Sequence, residues 1–199
     1  IPGSVETLGA NPFALCSKLS EITVAVEGGN IRLIDGVLFD KEMTRLIWCS
    51  KKKSGSYVIP KTVKTIDCDA FYSCKELTSI TLPDSITEIN HGVFCNCSGL
   101  EIVTIPHSVT SIGISAFHSC TSLEFVVIPD SVTSIGDEAF SGCSSLKSVV
   151  IPDSVTSIGV EAFFYCSALI SVTIPKSVTS IGDIAFGCCY NLKEIAIPS

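Results

Sequence analysis

Nowhere in this 199-residue chain does an uninterrupted apolar run approach the roughly 20 residues needed to cross a bilayer, so no membrane-spanning helix is expected. Charge is sparse. Charged residues make up 17% of the chain against 46% apolar, a balance that excludes disorder. Positive charge is sparser still: the net charge of −7 argues against nucleic acid, whose binding needs a basic footprint that releases counterions. The one basic run, Lys51-Lys52-Lys53, lies in a Ser/Gly stretch and reads as a solvated loop rather than a phosphate or heparin site. No Gly-rich phosphate loop occurs. From Ile1 onward there is neither the basic n-region nor the apolar h-region of a signal peptide, and the chain opens inside a repeat, as a trimmed segment would.

Cysteine, by contrast, is abundant: eleven residues, a number that ordinarily means disulfides or metal. A repeat removes most of them from both categories. Prolines preceded by an aliphatic residue fall at Pro60, Pro83, Pro106, Pro129, Pro152, Pro175 and Pro198, each step 23 residues. Cys74, Cys97, Cys120, Cys143, Cys166 and Cys189 keep the same interval, as do Phe71, Phe94, Phe117, Phe140, Phe163 and Phe186. A period of 20–50 residues signals a solenoid.

In one copy, residues 128–150, the apolar positions are Ile128, Val132, Ile135, Ala139, Phe140, Cys143, Leu146 and Val149. They sustain neither a 3.6 nor a 2.0 period, as expected of a coil that turns corners and sends a few side chains from each straight segment into a shared interior. Residues 148–151 alternate and predict a short strand ended by Pro152, which has no N–H for a ladder. Val155 and Ile158 predict a second extended segment closed by Gly159. The Ala162-Phe163 step and Cys166 predict a tight helical turn. One coil cannot bury its apolar side alone; stacked coils would pair strands in parallel about 4.8 Å apart and set equal side chains in columns. At least six parallel rungs in one sheet are expected, with Val126, Val149 and Val172 inward. The ladder cysteines, Cys16 included, then read as buried thiols acting as small hydrophobes. Cys49, Cys68, Cys95 and Cys188 fall off the ladder, and their redox state stays open.

Ile1-Pro2, Phe13, Cys16, Leu19 and Ile22 fit the same template. The chain therefore divides into a first repeat (1–24), an inserted module (25–58) and six regular repeats (59–199). Within the insertion, Asp35-Gly36 between apolar stretches predicts a hairpin, and 37–39 and 45–48 predict further strands around a turn near 41–44, a small β-meander.

The pattern IPxSVTSIGxxAFxxCxSL, carried by six consecutive copies plus one at the start, resembles the BspA-like class of leucine-rich repeats. The likeness spans all of the chain outside 25–58, and IDGVLFDKEMTRLIWC resembles the irregular hairpin modules found between such repeats. It implies a right-handed, curved leucine-rich-repeat superhelix, mainly parallel β with short helical turns on its convex side. It further implies an extracellular or cell-surface protein of bacterial or protozoan origin that adheres to host or matrix proteins. The class has no shared catalytic site, so no catalytic residue, metal or cofactor is carried over and no enzyme is expected. Two departures stand out: the class is usually much longer, and Pro stands where commoner repeats end the strand with Asn. Ends without a polar cap suit an excised segment or one that self-associates.

Chemistry-bearing residues are few. Cys95 and His118 share a repeat position in adjacent coils, the arrangement of a nucleophile and its base, but no third orienting group falls in phase, and a chance surface pair accounts for them as well. Paired acids such as Asp137/Glu138 sit in turns, where Asp caps and solvates. Gly113, Gly136, Gly159 and Gly182 read as turn residues. Asn96-Cys97-Ser98 matches a glycosylation pattern, with its middle residue on the buried ladder. The most informative surface is the outward side of the strands, mostly Ser and Thr, as in Ser79/Thr81 and Ser171/Thr173. In the middle it turns apolar. Ile102, Thr104, Phe125, Val127, Ser148 and Val150 form the candidate binding patch on the expected concave face, where β-propensity and drift between copies are the competing account. A protein-binding module and a structural spacer holding another domain off a surface both remain open.

Overall fold

In the computed structural model, which describes residues 1–9, 12–13, 16, 18–25 and 29–196, the regular repeats form a stack of parallel coils. Pro198 lies outside the described residues. Each coil carries two strands. The long ones are β4 (Gly55–Val58), β6 (Leu77–Thr81), β8 (Ile102–Thr104), β10 (Phe125–Val127), β12 (Ser148–Val150), β14 (Ser171–Thr173) and β16 (Glu194–Ala196). The two-residue ones are β5 (Thr65–Ile66), β7 (Glu88–Ile89), β9 (Ser111–Ile112), β11 (Ser134–Ile135), β13 (Ser157–Ile158) and β15 (Ser180–Ile181). Every pairing from β4 onward is parallel, and equivalent residues sit opposite one another, as in Val126↔Val149 and Ile135↔Ile158. Val126, Val149 and Val172 point inward and are buried.

The seven long strands do not make one sheet. They divide into β4-β6-β8 and β10-β12-β14-β16, and no ladder joins β8 to β10. The two-residue strands β7 to β15 run unbroken past the same level. The coils therefore stay joined on one side while the long-strand face has a seam between Ile102 and Phe125.

The Ala-Phe segment is not helical: the described residues contain no helix. Instead, alternate N–H groups leave the coil. Phe117 N donates to Ala139 O and Ser119 N to Ser141 O in the next coil, while His118 N bonds Ser115 O and Cys120 N bonds Phe117 O within it. Two residues per coil adopt positive φ to turn the peptides this way, among them Ser115 and Ser119, Glu138 and Gly142, Glu161 and Tyr165. A helix would bond all its donors within itself; here half of them make a third coil-to-coil ladder.

Inside, Phe71, Phe94, Phe117, Phe140, Phe163 and Phe186 stack with ring centroids 5.2–5.3 Å apart, nearly parallel from Phe117 onward. The column continues into Tyr57 of β4 rather than Phe13, which instead meets Trp48 edge-on. The ladder thiols are buried and act as donors. Cys143 Sγ–H donates to Phe117 O at 3.2 Å, and the same carbonyl accepts Cys120 N–H, so both its lone pairs are used. Cys97, Cys120, Cys166 and Cys189 repeat the contact. Burial pushes the Cys143 thiol up to about 12, which keeps the proton it donates. Cys16 departs from the expectation: it is exposed, because the first repeat does not lie on the stack in ladder register. Cys49, off the ladder by sequence, is buried at its foot, where it and Cys74 both reach Ser50 O. All eleven cysteines are unbridged. Cys143→Ala should cost about 1–2 kcal/mol through a small cavity and a lost donor. Urea unfolding measures this, and thiol titration of denatured, unreduced protein should return all eleven groups.

Ahead of the stack, β1 (Ile31–Ile34), β2 (Val37–Asp40) and β3 (Arg45–Cys49) form an antiparallel meander whose first turn, Asp35-Gly36, takes positive φ at both residues. Its third strand pairs in parallel with β5. The meander is apolar on both faces, by alternation along β2 and, along β3, around an irregularity in the register at Ile47. Val37, Phe39, Leu46 and Cys49 join the stack's core. Leu38, Ile47 and Trp48 form a second core with Leu8, Phe13, Leu19 and Ile22 of the first repeat. Arg45 fastens the layers: it makes a bidentate pair with Asp67 at 2.6 and 2.8 Å and donates to Leu8 O and Gly9 O.

Candidate functional site

Alternation along the long strands sets every second side chain outside, and on this face the apolar ones are fully formed as a surface. Val127 is 76% exposed, Val150 72%, Ile102 60% and Phe125 56%, with Thr104 and Ser148 exposed among them. Register places Phe125 beside Ser148 and Val127 beside Val150. The six residues do not share one cavity. Ile102 and Phe125 line a hollow of about 560 Å³ at the seam, together with Glu101, Ser122, Glu124 and Ser145. Ser148 and Val150 line a second, of about 770 Å³, with Ile151, Ser171, Thr173 and Pro175. Thr104 and Val127 line neither.

Sequence reasoning did not find the charges around Phe125. Lys147 Nζ lies 2.6 Å from Glu124 Oε2 and 5.7 Å from the Phe125 ring centroid. Their signal was present: Glu101, Glu124 and Lys147 hold one repeat position, immediately before the outward strand residues. Val58 was missed too. It is 67% exposed on β4, opposite Thr81, in a stretch assigned to the insertion.

The remaining candidates are chemically quiet. His118 Nδ1 sits 3.5 Å from Glu138 Oε2 and makes no hydrogen bond. Burial, with the carboxylates of Asp69 and Glu138, pushes the Cys95 thiol up to about 11, opposite to the activation a nucleophilic thiolate requires. Among the described residues no three His, Cys, Asp or Glu side chains gather into a metal-binding group. The basic run is spent on local contacts: Lys51 donates to Cys16 O, Lys52 pairs with Glu21, and Lys53 pairs with Asp35 over the Tyr57 ring. Asn96 donates to Cys95 Sγ, and Cys97 beside it is buried. The recurrent glycines are not primarily turn formers. A Cβ on Gly136 would lie 2.8 Å from Gly113 C, and one on Gly182 2.3 Å from Val160 N, so the column marks where one coil's backbone presses on the last.

A family model described as the BspA type leucine rich repeat region, in six copies, matches residues 47–166 and 116–199. Among solved structures, the chain is similar to a leucine-rich repeat protein from Bacteroides ovatus: 31% identity, 85% of this chain and 44% of that one, TM-score 0.74. It is similar over its whole length to a leucine rich cell surface protein from Faecalibacterium prausnitzii, at 32% identity, 47% of that chain and TM-score 0.76. The pneumococcal vaccine antigen PcpA matches it at 25% identity, over all of this chain and 55% of that one, with TM-score 0.77. The chain thus spans less than half the length of the first two. No curated protein sequence matches it.

Proposed function

The chain belongs to the BspA-type leucine-rich repeat family, and on that footing we propose that it is a protein-binding surface module which adheres to or recognises host or matrix proteins through its long-strand face. The observation that carries this is the solvent-exposed apolar patch of Ile102, Phe125, Val127 and Val150 in the middle of a face otherwise mostly Ser and Thr. Hydroxyl rows offer hydrogen bonds for which water competes, so net affinity must come from buried apolar area. An aromatic ring ringed by β-branched neighbours has the make-up of an interface hot spot. A place outside the cell or on its surface is supported by two similar proteins, one described as a cell surface protein and one as a vaccine antigen. The role is contact rather than catalysis.

Purified extracellular-matrix and serum proteins, screened against the immobilised chain, supply the ligand. Phe125→Ala should then weaken binding by about 2 kcal/mol or more, roughly thirtyfold, with Val127→Ser weakening it less. Ser171→Ala and Thr173→Ala should be nearly silent. Circular dichroism separates lost binding from lost structure. Equal affinity of the folded Phe125→Ala variant would place the contact elsewhere, the meander first. If no protein binds, the alternative stands: a spacer within a longer surface protein, for which the plain hydroxyl rows flanking the patch would suffice.

A further inference from the structure

We infer that the hollow at the seam takes a lysine or arginine side chain of the protein partner, an inference that rests on the function proposed above. It is lined by apolar Ile102 and Phe125, by two exposed carboxylates, Glu101 and Glu124, and by Ser122 and Ser145. A long aliphatic stem ending in a cation fits that division: stem along the apolar side chains, charge at the carboxylates.

The molecule already makes half of such a contact with its own residues. Glu124 and Lys147 occupy one repeat position in successive coils and pair at 2.6 Å, and the ammonium leans over Phe125 at 5.7 Å from its centroid. One coil earlier the same position pairs an acid with an acid. Glu101 makes no ion pair among the described residues, and its neighbour along the column is Glu124, one coil spacing away. A cation set between them turns a like-charge step into an attractive one, continuing the pattern by one rung. β8 and β10 share no ladder, so the hollow lies where the long-strand face is not hydrogen-bonded across, and the incoming side chain lies against the exposed Ile102 and Phe125. The other occupants fit worse. An acidic side chain would face two carboxylates, and a purely apolar one would bury Glu101 without a partner. The net charge of −7 favours approach of a basic segment.

The test uses the intact chain labelled with nitrogen-15 and four probes: the N-acetyl amides of lysine, arginine, glutamate and leucine. Both cationic probes should give saturable shifts of the Ser122–Phe125 amides, lost at high salt, and the glutamate probe none. Glu101→Gln, a surface change whose spectrum reports its folding, should weaken the cationic probes about fivefold. Lys147→Ala, which removes the internal competitor, should tighten them about threefold. Shifts no larger for the cations than for glutamate or leucine, or affinity indifferent to Glu101→Gln, would overturn the inference. Should Phe125→Ala lose the protein ligand while neither cationic probe reaches the hollow, the proposed function stands and this inference falls. Cationic probes that bind beside undiminished protein binding by Phe125→Ala would place the protein contact away from the long-strand face, and with it overturn the assignment of the occupant to a partner.

Discussion

Phe140→Ala should lower the free energy of unfolding by about 3–5 kcal/mol. The ring is fully buried and stacks on Phe117 at 5.2 Å and on Phe163 at 5.3 Å, within 6° of parallel to both. Truncation removes two aromatic contacts at once and leaves a cavity walled by coils that cannot collapse inward, because three ladders fix their spacing. Phe186→Ala makes the natural comparison. That ring is only partly buried and has one stacked neighbour among the described residues, Phe163, so its loss should cost about half as much. Urea unfolding followed by circular dichroism measures both. Equal costs for the two variants would mean that the column contributes no more than the area each ring buries.

Gly159→Ala should cost about 3 kcal/mol, the upper end of what overpacking does, although it adds a single methyl group. An added Cβ would stand 2.4 Å from Asp137 N and 2.5 Å from Gly136 C, both backbone atoms of the preceding coil. Neither can retreat without breaking the Gly159 N–H bond to Ile135 O and the adjoining pair of β11 with β13. Gly9→Ala is the control: nothing lies within 4 Å of the Cβ it would add, and its effect should be within about 0.5 kcal/mol. Thermal unfolding of the two variants beside the parent decides the matter. If Gly159→Ala melts with the parent, coil spacing is set by side chains and not by backbone contact.

The period made most of the fold legible, because a column of equal residues declares its own burial: Phe94, Cys97, Leu100 and their equivalents in the next three coils are all inaccessible to solvent. The Asp35-Gly36 hairpin was equally plain, since few dipeptides tolerate positive φ twice in succession. Apolar spacing along Ala116, Phe117 and Cys120 misled, because it suits one turn of helix as well as a chain of alternating turns. What separates them is the destination of each N–H, and the residues at positive φ in these turns are mostly not glycine, Tyr165 and Ile184 among them, with Gly92 and Gly142 the exceptions. Of the candidate site, alternation gave the outward direction of all six residues. The hollows were not readable, since each is built from residues a coil apart. Nor was the seam, since β8 and β10 carry the same repeat positions as strands that do pair.

The equal spacing of the ladders also bears on how such a chain can change length. Residues 128–136 and 151–159 are the same nonapeptide, Ile-Pro-Asp-Ser-Val-Thr-Ser-Ile-Gly. Excising 130–152 would join Pro129 to Asp153, recreating the dipeptide it removed, and the backbone ladders across the scar would keep their register, although Glu124 would meet Ile170 in place of Lys147. Losing one residue instead would move each following side chain off its column and turn strand residues inside out. Length in this architecture is therefore quantised: the molecule can be shortened or extended by a whole turn with its register intact, and by nothing smaller.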